Sequence, residues 1–248
     1  MTEITNDYLL DKKVRMFQSK DGYKTSSDAV LVSSLVNNIK ANEKILDIGS
    51  GTGGISLCLA HRFPQAFIYG FEIQPELAEL SNMSAKENGF SNLEYIVHDI
   101  KEKKAPLPFG SFDHVITNPP YAKSGSKSPN KSKATAHNQQ DIDLKGWLSF
   151  CLKMLKPYGF LYLIHRAEAL DEILSVLYQK AGNIRLVPIY SKTNEKAKRV
   201  MLIAQKDSKT PLSLLPPLTV HLDGAYSFEA EQILRGGKSF FEIDIQKR

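Results

Sequence analysis

Asn118-Pro119-Pro120-Tyr121 follow Phe112-Asp113-His114-Val115-Ile116-Thr117, a run that reads as a buried strand. An amide, two prolines and an aromatic pack poorly at the end of such a strand, but they suit a flat molecule that carries an NH2 group. The Asn118 carboxamide oxygen accepts one N–H hydrogen bond. Neither proline has an N–H and both fix φ, so the backbone carbonyl near Pro119 is held outward as a second acceptor. Two acceptors on one NH2 draw its hydrogens out of conjugation and leave the nitrogen lone pair free to attack. Tyr121 then stacks on the ring that bears the NH2. Taken alone, the same turn also reads as an ordinary strand end.

Gly49-Ser50-Gly51-Thr52-Gly53-Gly54 follows the apolar run Lys44 to Ile48 and opens a helical pattern over Ile55 to Phe63. Glycines let the backbone turn sharply and come close to a ligand. Gly49, Gly51 and Gly54 satisfy G-x-G-x-x-G, so a dinucleotide such as NAD is one reading. Glu72 closes the next strand and can accept from both ribose hydroxyls in either reading. Asp47 favours S-adenosylmethionine. A carboxylate there suits the cationic aminomethionine end of that cofactor and would repel a pyrophosphate. Asp99 is placed to accept from the cofactor adenine, with a turn or cap aspartate as the competing account. Its neighbour His98 reads as a bystander.

The elements that must hold these residues alternate. Strands are expected at Lys44 to Ile48, Ala66 to Phe71, Leu93 to Val97, Phe112 to Thr117 and Phe160 to Ile164. Helical intervals run from Leu31 to Ile39 behind a capping-box spacing at Thr25-Ser26-Ser27-Asp28. Further helices are expected from Pro75 to Gly89, Leu144 to Leu155 and Ala167 to Ala181. Ile184 to Tyr190 and Arg199 to Ala204 flank a charged turn and read as a hairpin. The pattern predicts an α/β, Rossmann-like fold: a doubly wound, mostly parallel seven-stranded sheet with a C-terminal antiparallel hairpin. Residues 1–207 form one domain in this reading, and 208–248 an extension packed on it. Such sheets bind ligands beyond the carboxyl ends of their strands. Asp47-Ile48-Gly49, Glu72, His98-Asp99 and Asn118 all stand at those ends.

The chain's 248 residues suit one sizeable α/β domain, and its apolar fraction of 42% and charged fraction of 24% suit a soluble globular protein. No apolar run is long enough to span a bilayer, and Met1 to Asp11 lack a signal pattern, so a cytoplasmic protein is expected. Cys58 and Cys151 sit in apolar helical patterns as small buried hydrophobes, without partners at metal-ligand spacing, and no metal is expected. A net charge of +5 suits a phosphate-rich partner.

Lys44-Ile-Leu-Asp47-Ile-Gly49-Ser-Gly51-Thr-Gly53, Glu72, Asp99 and Asn118-Pro-Pro-Tyr121, in this order, resemble the motifs of class I methyltransferases that modify amino groups. Gln18-Ser-Lys-Asp-Gly22-Tyr23-Lys24-Thr25-Ser26-Ser27-Asp28-Ala29-Val30-Leu31 resembles the segment before the glycine motif in a bacterial family of tRNA adenine-N6 methyltransferases. Gly159 to Arg166, Ala197 to Val200 and Ala230 to Gly237 resemble the same family, so the likeness covers nearly the whole chain. Members of known activity modify an adenine beside the anticodon of a valine tRNA. The resemblance implies S-adenosylmethionine as cofactor, bound by Lys24, Thr25, Asp47, Gly49, Gly51, Gly53, Glu72, Ile73, Asp99, Ile100 and Asn118. It implies Asn118, Pro119, Pro120 and Tyr121 as the catalytic group.

Three other readings stand beside this one. Glutamine-N5 methyltransferases of release factors use the same Asn-Pro-Pro-Tyr motif behind a sizeable helical domain, whereas only 46 residues precede Asp47 here, with about one helix expected among them. An NAD-dependent oxidoreductase would leave Asn118 to Tyr121 and Asp47 without a purpose. A non-catalytic RNA-binding module would keep the fold alone. RNA, in particular tRNA, is the expected partner. Lys123, Lys127, Lys131 and Lys133 lie in a polar stretch directly after the catalytic turn, where a lid ordering on RNA and an ordinary disordered insertion are equal readings. His137 in that stretch reads as a surface histidine. Lys192, Lys196, Lys198 and Arg199 form a second basic group around the hairpin turn, which also reads as a solvated charged turn.

Overall fold

The computed structural model describes residues 3–22, 24–120 and 142–243. Tyr121, Lys123, Lys127, Lys131, Lys133 and His137 lie outside the described residues, as does Tyr23. A two-stranded hairpin, β1 (Ile4–Leu9) and β2 (Val14–Ser19), opens the chain. It is followed by α1 (Ser27–Ser33), β3 (Lys44–Ile48), α2 (Gly54–Arg62), β4 (Phe67–Glu72), α3 (Pro75–Glu87), β5 (Leu93–Val97) and β6 (Phe112–Thr117). Then come α4 (Leu144–Met154), β7 (Leu155–Arg166), α5 (Leu170–Leu177), β8 (Ala181–Lys192) and β9 (Arg199–Lys206). The tail carries β10 (Ser213–Leu214), β11 (Leu218–Leu222), β12 (Ala225–Tyr226) and α6 (Phe228–Leu234).

The main sheet runs β12-β11-β8-β9-β7-β6-β3-β4-β5, with β10 on β8. All seven expected strands are in it. β9 lies antiparallel between β7 and β8, and the other members from β5 to β11 are parallel. The count of seven needs correction, because the tail adds β10, β11 and β12 to this sheet, making ten strands in it among the described residues. These are two to five residues long and follow Pro211 or Pro216-Pro217, too short to show alternation in the sequence.

The buried strands are nearly continuous apolar runs because both faces of a parallel sheet are covered. Ile45, Ile116, Tyr162 and Ile164 face α1, α2 and the tail, where Ala230, Ile233 and Phe240 join the same core. Leu46, Ile48, Val115, Leu161 and Leu163 face α4 and α5. Both cysteines are buried and free. None of the helices among the described residues is long and apolar enough to cross a membrane.

Three expected helices change in detail. α1 stops at Ser33, and Leu35, Val36 and Ile39 are buried in irregular backbone. The capping box does not form. Ser26 is the N-cap without a side-chain bond, because the Thr25 hydroxyl goes to Thr52 at 2.8 Å and Asp28 pairs with Arg199. Ala167 to Ala181 divides into a 3-10 turn at Ala167–Ala169, α5 and the first residue of β8. The helix expected from Leu144 to Leu155 stops at Met154, and Leu155 already belongs to β7, which has a register shift against β6 and Tyr158 at φ 61°.

Candidate active site

Strand register alone brings the expected residues together. Ile48 pairs with Thr117 and with Phe71, so Gly49, Asn118 and Glu72 each stand one residue beyond an aligned rung. Glu72 pairs with Val97, which puts His98 next in line. The strand order reverses at β3, with β4 on one side and β6 on the other. A crevice at the carboxyl ends is the usual ligand position in such a sheet.

Asp47 is fully buried, and its Oδ2 accepts from the Ser56 hydroxyl at 2.5 Å. Oδ1 is buried with no hydrogen-bond partner among the described residues, and the same holds for the Ser50 hydroxyl in the glycine loop. Burial pushes the Asp47 carboxyl up to about 7; the Ser56 bonds oppose this and the neighbouring Glu72 charge adds to it. Glu72 is also buried. Its Oε2 accepts from the Gly51 amide at 2.8 Å and its Oε1 from the Gln74 amide at 2.9 Å. Burial raises its pKa, against those backbone donors. Gly53 is the left-handed N-cap of α2 at φ +84°, and a side chain there would run into the Tyr95 hydroxyl.

The N-terminal segment closes over this loop. Gln18 accepts from the Thr25 amide at 2.7 Å, and the Thr25 and Thr52 hydroxyls share a hydrogen bond. Lys24 is exposed beside them; the Thr5 hydrogen bond holds the Asp7 carboxyl below its usual value against the opposing effect of burial, and Gln18 and the Lys24 charge act in the same direction as Thr5. Ile73 and Ile100 are half-buried. Asp99 turns Oδ1 onto the Lys101 amide at 2.9 Å, an Asx turn of the kind that competes with its cofactor role. His98 packs between Phe71 and Phe150, and burial lowers its pKa.

Asn118 is half-buried, Pro119 buried and Pro120 exposed. The Asn118 carboxamide makes no hydrogen bond to another described residue. A cavity of about 500 Å³ adjoins the turn, lined by Pro119, Pro120, Trp147, His165, Arg166 and Glu172 among others. Trp147 is not among the residues that the sequence motifs mark. It is the only tryptophan in the chain, and that singularity is the one signal the sequence carried.

The basic hairpin turn follows β8 and precedes β9, so it projects from the same carboxyl end of the sheet. The Ala167 amide binds the Lys198 carbonyl at 3.0 Å, which ties the turn to the cavity wall. Lys192, Lys196 and Lys198 are exposed, with Lys198 3.8 Å from Glu195. Arg199 differs from them: its guanidinium pairs with the buried Asp28. No group of three or more candidate metal ligands is found among the described residues.

A family model described as "Methyltransferase domain" matches residues 39–206. A tRNA1(Val) (adenine(37)-N6)-methyltransferase of Porphyromonas gingivalis W83 is 30% identical over 86% of this chain and 82% of its own. One of the same name from Shewanella halifaxensis is 32% identical over 68% and 67%. The crystal structure of a predicted O-methyltransferase from Agrobacterium tumefaciens superposes with a TM-score of 0.70 at 26% identity, covering 85% of this chain and 96% of that one. The glycine loop clasped by Glu72, the Asn118 turn beside it and these likenesses over most of the chain agree: the protein belongs to the tRNA1(Val) (adenine(37)-N6)-methyltransferase family.

Proposed function

We propose that this protein transfers the methyl group of S-adenosylmethionine to the N6 amino group of an adenine in tRNA, in the cytoplasm. The observation that carries the reading is the rung Ile48–Thr117, which sets the Asn118 turn directly beside the glycine loop. The relatives' names supply the acceptor: adenine 37 of tRNA1(Val).

The residues present fit the cofactor. A buried carboxylate oxygen at Asp47, without a partner among the described residues, suits a cationic amino group, and Glu72 retains lone pairs for ribose hydroxyls beyond the two amides it accepts. Thr25, Gly49, Gly51 and Gly53 form the surrounding backbone cradle, with Lys24, Ile73, Asp99 and Ile100 at its rim. S-adenosylmethionine supplies an electrophilic methyl on a sulfonium, so no metal or strong base is needed.

The chain's own work is alignment. The target adenine leaves its stack, which costs about a few kcal/mol and less in a loop. The Asn118 carboxamide oxygen and the Pro119 carbonyl accept the two N6 hydrogens and free the nitrogen lone pair. Tyr121 stacks on the base in this reading. The proton leaves the nitrogen after transfer. Lys192, Lys196 and Lys198 meet RNA phosphates at the carboxyl end of the sheet, and Lys123, Lys127, Lys131 and Lys133 add charge next to Tyr121 in the sequence.

Incubation with methyl-labelled cofactor and either total RNA or total protein, followed by nucleoside and amino-acid analysis, tests this. The expected product is N6-methyladenosine in tRNA. Label found in glutamine alone overturns the acceptor.

A further inference from the structure

We propose that Trp147 is the positioning residue that sets the Asn118 turn against the glycine loop; the proposal rests on the methyl-transfer reading above. Trp147 lies in the first turn of α4. That turn is fixed by the Asp143 side chain, which accepts from the Gly146 amide at 2.7 Å, and by the Trp147 amide, which reaches the Asp143 carbonyl at 3.0 Å. The indole extends from there to three parts of the site.

Its Nε1–H donates to the Thr117 hydroxyl at 2.9 Å, and that hydroxyl donates to the Ile48 carbonyl at 2.8 Å. Thr117 is fully buried and immediately precedes Asn118. Ile48 immediately precedes Gly49. The relay from Trp147 through Thr117 to Ile48 therefore ties the ends of β6 and β3 at the residues just before the two functional turns. The ring edge then covers Gly49. A Cβ built on Gly49 would stand 2.8 Å from Trp147 Cζ2, and φ there is +73°, so glycine and indole share one space. The indole also forms part of the wall of the cavity beside Pro119 and Pro120.

Direct methyl transfer depends on nitrogen, methyl and sulfur lying in line, and small displacements of either partner lower the rate steeply. A buried relay between the two turns controls that alignment while contacting neither reacting atom. Loss of the relay is expected to lower kcat rather than weaken binding.

The test compares Trp147→Phe, Thr117→Val, their double variant and Thr117→Ser. Trp147→Phe removes the donor and shortens the ring that meets Gly49; Thr117→Val removes the hydroxyl alone at nearly constant volume. Each is expected to lower kcat at least tenfold, with KM for S-adenosylmethionine and for tRNA within twofold of wild type. The double variant is expected to lose no more than the worse single one, because both break the same relay. Thr117→Ser, which keeps the hydroxyl, is expected to restore most of the rate. Melting curves accompany every variant, and if Trp147→Phe fails to fold, Thr117→Val against Thr117→Ser decides. Wild-type kcat in the folded variants, or losses that multiply independently, overturns the proposal. If the wild type labels glutamine and not RNA, the methyl-acceptor reading falls, and the same kcat comparison on the protein acceptor still decides the role of Trp147.

Discussion

The Glu72 carboxylate accepts the Gly51 amide at 2.8 Å, so the acid that ends β4 grips the loop that follows β3. The other oxygen takes the Gln74 amide. Each carboxylate oxygen has a second lone pair, which allows Glu72 to hold the loop and two ribose hydroxyls together. Glu72→Gln replaces one acceptor with an NH2 that faces an amide donor. Hydrogen bonds to charged groups contribute about 1.5–3 kcal/mol, so S-adenosylmethionine affinity should fall by roughly ten- to a hundredfold. Calorimetric titration measures it, and an unchanged affinity would remove Glu72 from the cofactor site.

Asp47 makes a prediction with a definite sign. Burial lifts its carboxyl from 3.8 to about 7 in the folded protein. Between those values the unfolded chain has released a proton that the folded chain keeps. Its contribution to stability therefore falls as pH rises through that window and is level beyond it. Asp47→Asn removes the effect, so the variant's melting temperature should gain on wild type from about pH 4 to about pH 8. Cofactor affinity should run the other way. A cationic ligand favours the ionised form, so wild-type binding tightens as pH rises through about 7, and the variant lacks that rise. Parallel melting profiles for the two proteins over this range would refute the assignment.

Arg199 and its lysine neighbours should separate cleanly. Arg199 pairs with Asp28, whose side chain is only 8% exposed. Arg199→Ala takes the guanidinium out of a buried ion pair and should cost about 3 kcal/mol of stability. Lys196→Ala and Lys198→Ala alter exposed side chains and should stay within about 0.5 kcal/mol. Their expected effect is on RNA: a higher KM and a shallower salt dependence, by about one unit of slope for each phosphate that the variant no longer neutralises. Denaturant melts and binding at several salt concentrations distinguish the two classes.

Much of this site was legible because buried parallel strands read as apolar runs, and what interrupts them at their carboxyl ends stands out. Asp47, Glu72 and Asn118 each break such a run. Arg199 misled because charge near a turn looks the same whether it is solvated or paired, and its partner is 171 positions away. Trp147 was hidden for the same kind of reason: one turn of helix places it, and Thr117, 30 positions earlier, gives it meaning. The β1–β2 hairpin escaped because β1 presents no buried side chain, and β2 buries Gln18 in its apolar alternation. That glutamine holds Thr25, and through it the rim of the glycine loop.

Asn118 carries the chemistry in this reading and should show it kinetically. Its carboxamide makes no bond to another described residue, so Asn118→Ala takes no hydrogen bond from the described fold and should leave the melting temperature nearly unchanged. The Glu72 and Asp47 hydrogen bonds stay in place, so S-adenosylmethionine should bind with nearly wild-type affinity. Methyl transfer should fall by at least a hundredfold, since one of two acceptors that draw the N6 hydrogens out of conjugation is gone. Asn118→Asp keeps an acceptor oxygen and should retain more activity than alanine. Single-turnover transfer from pre-bound labelled cofactor isolates this step from RNA binding. Full single-turnover activity in Asn118→Ala would mean that the turn positions the base by its prolines alone.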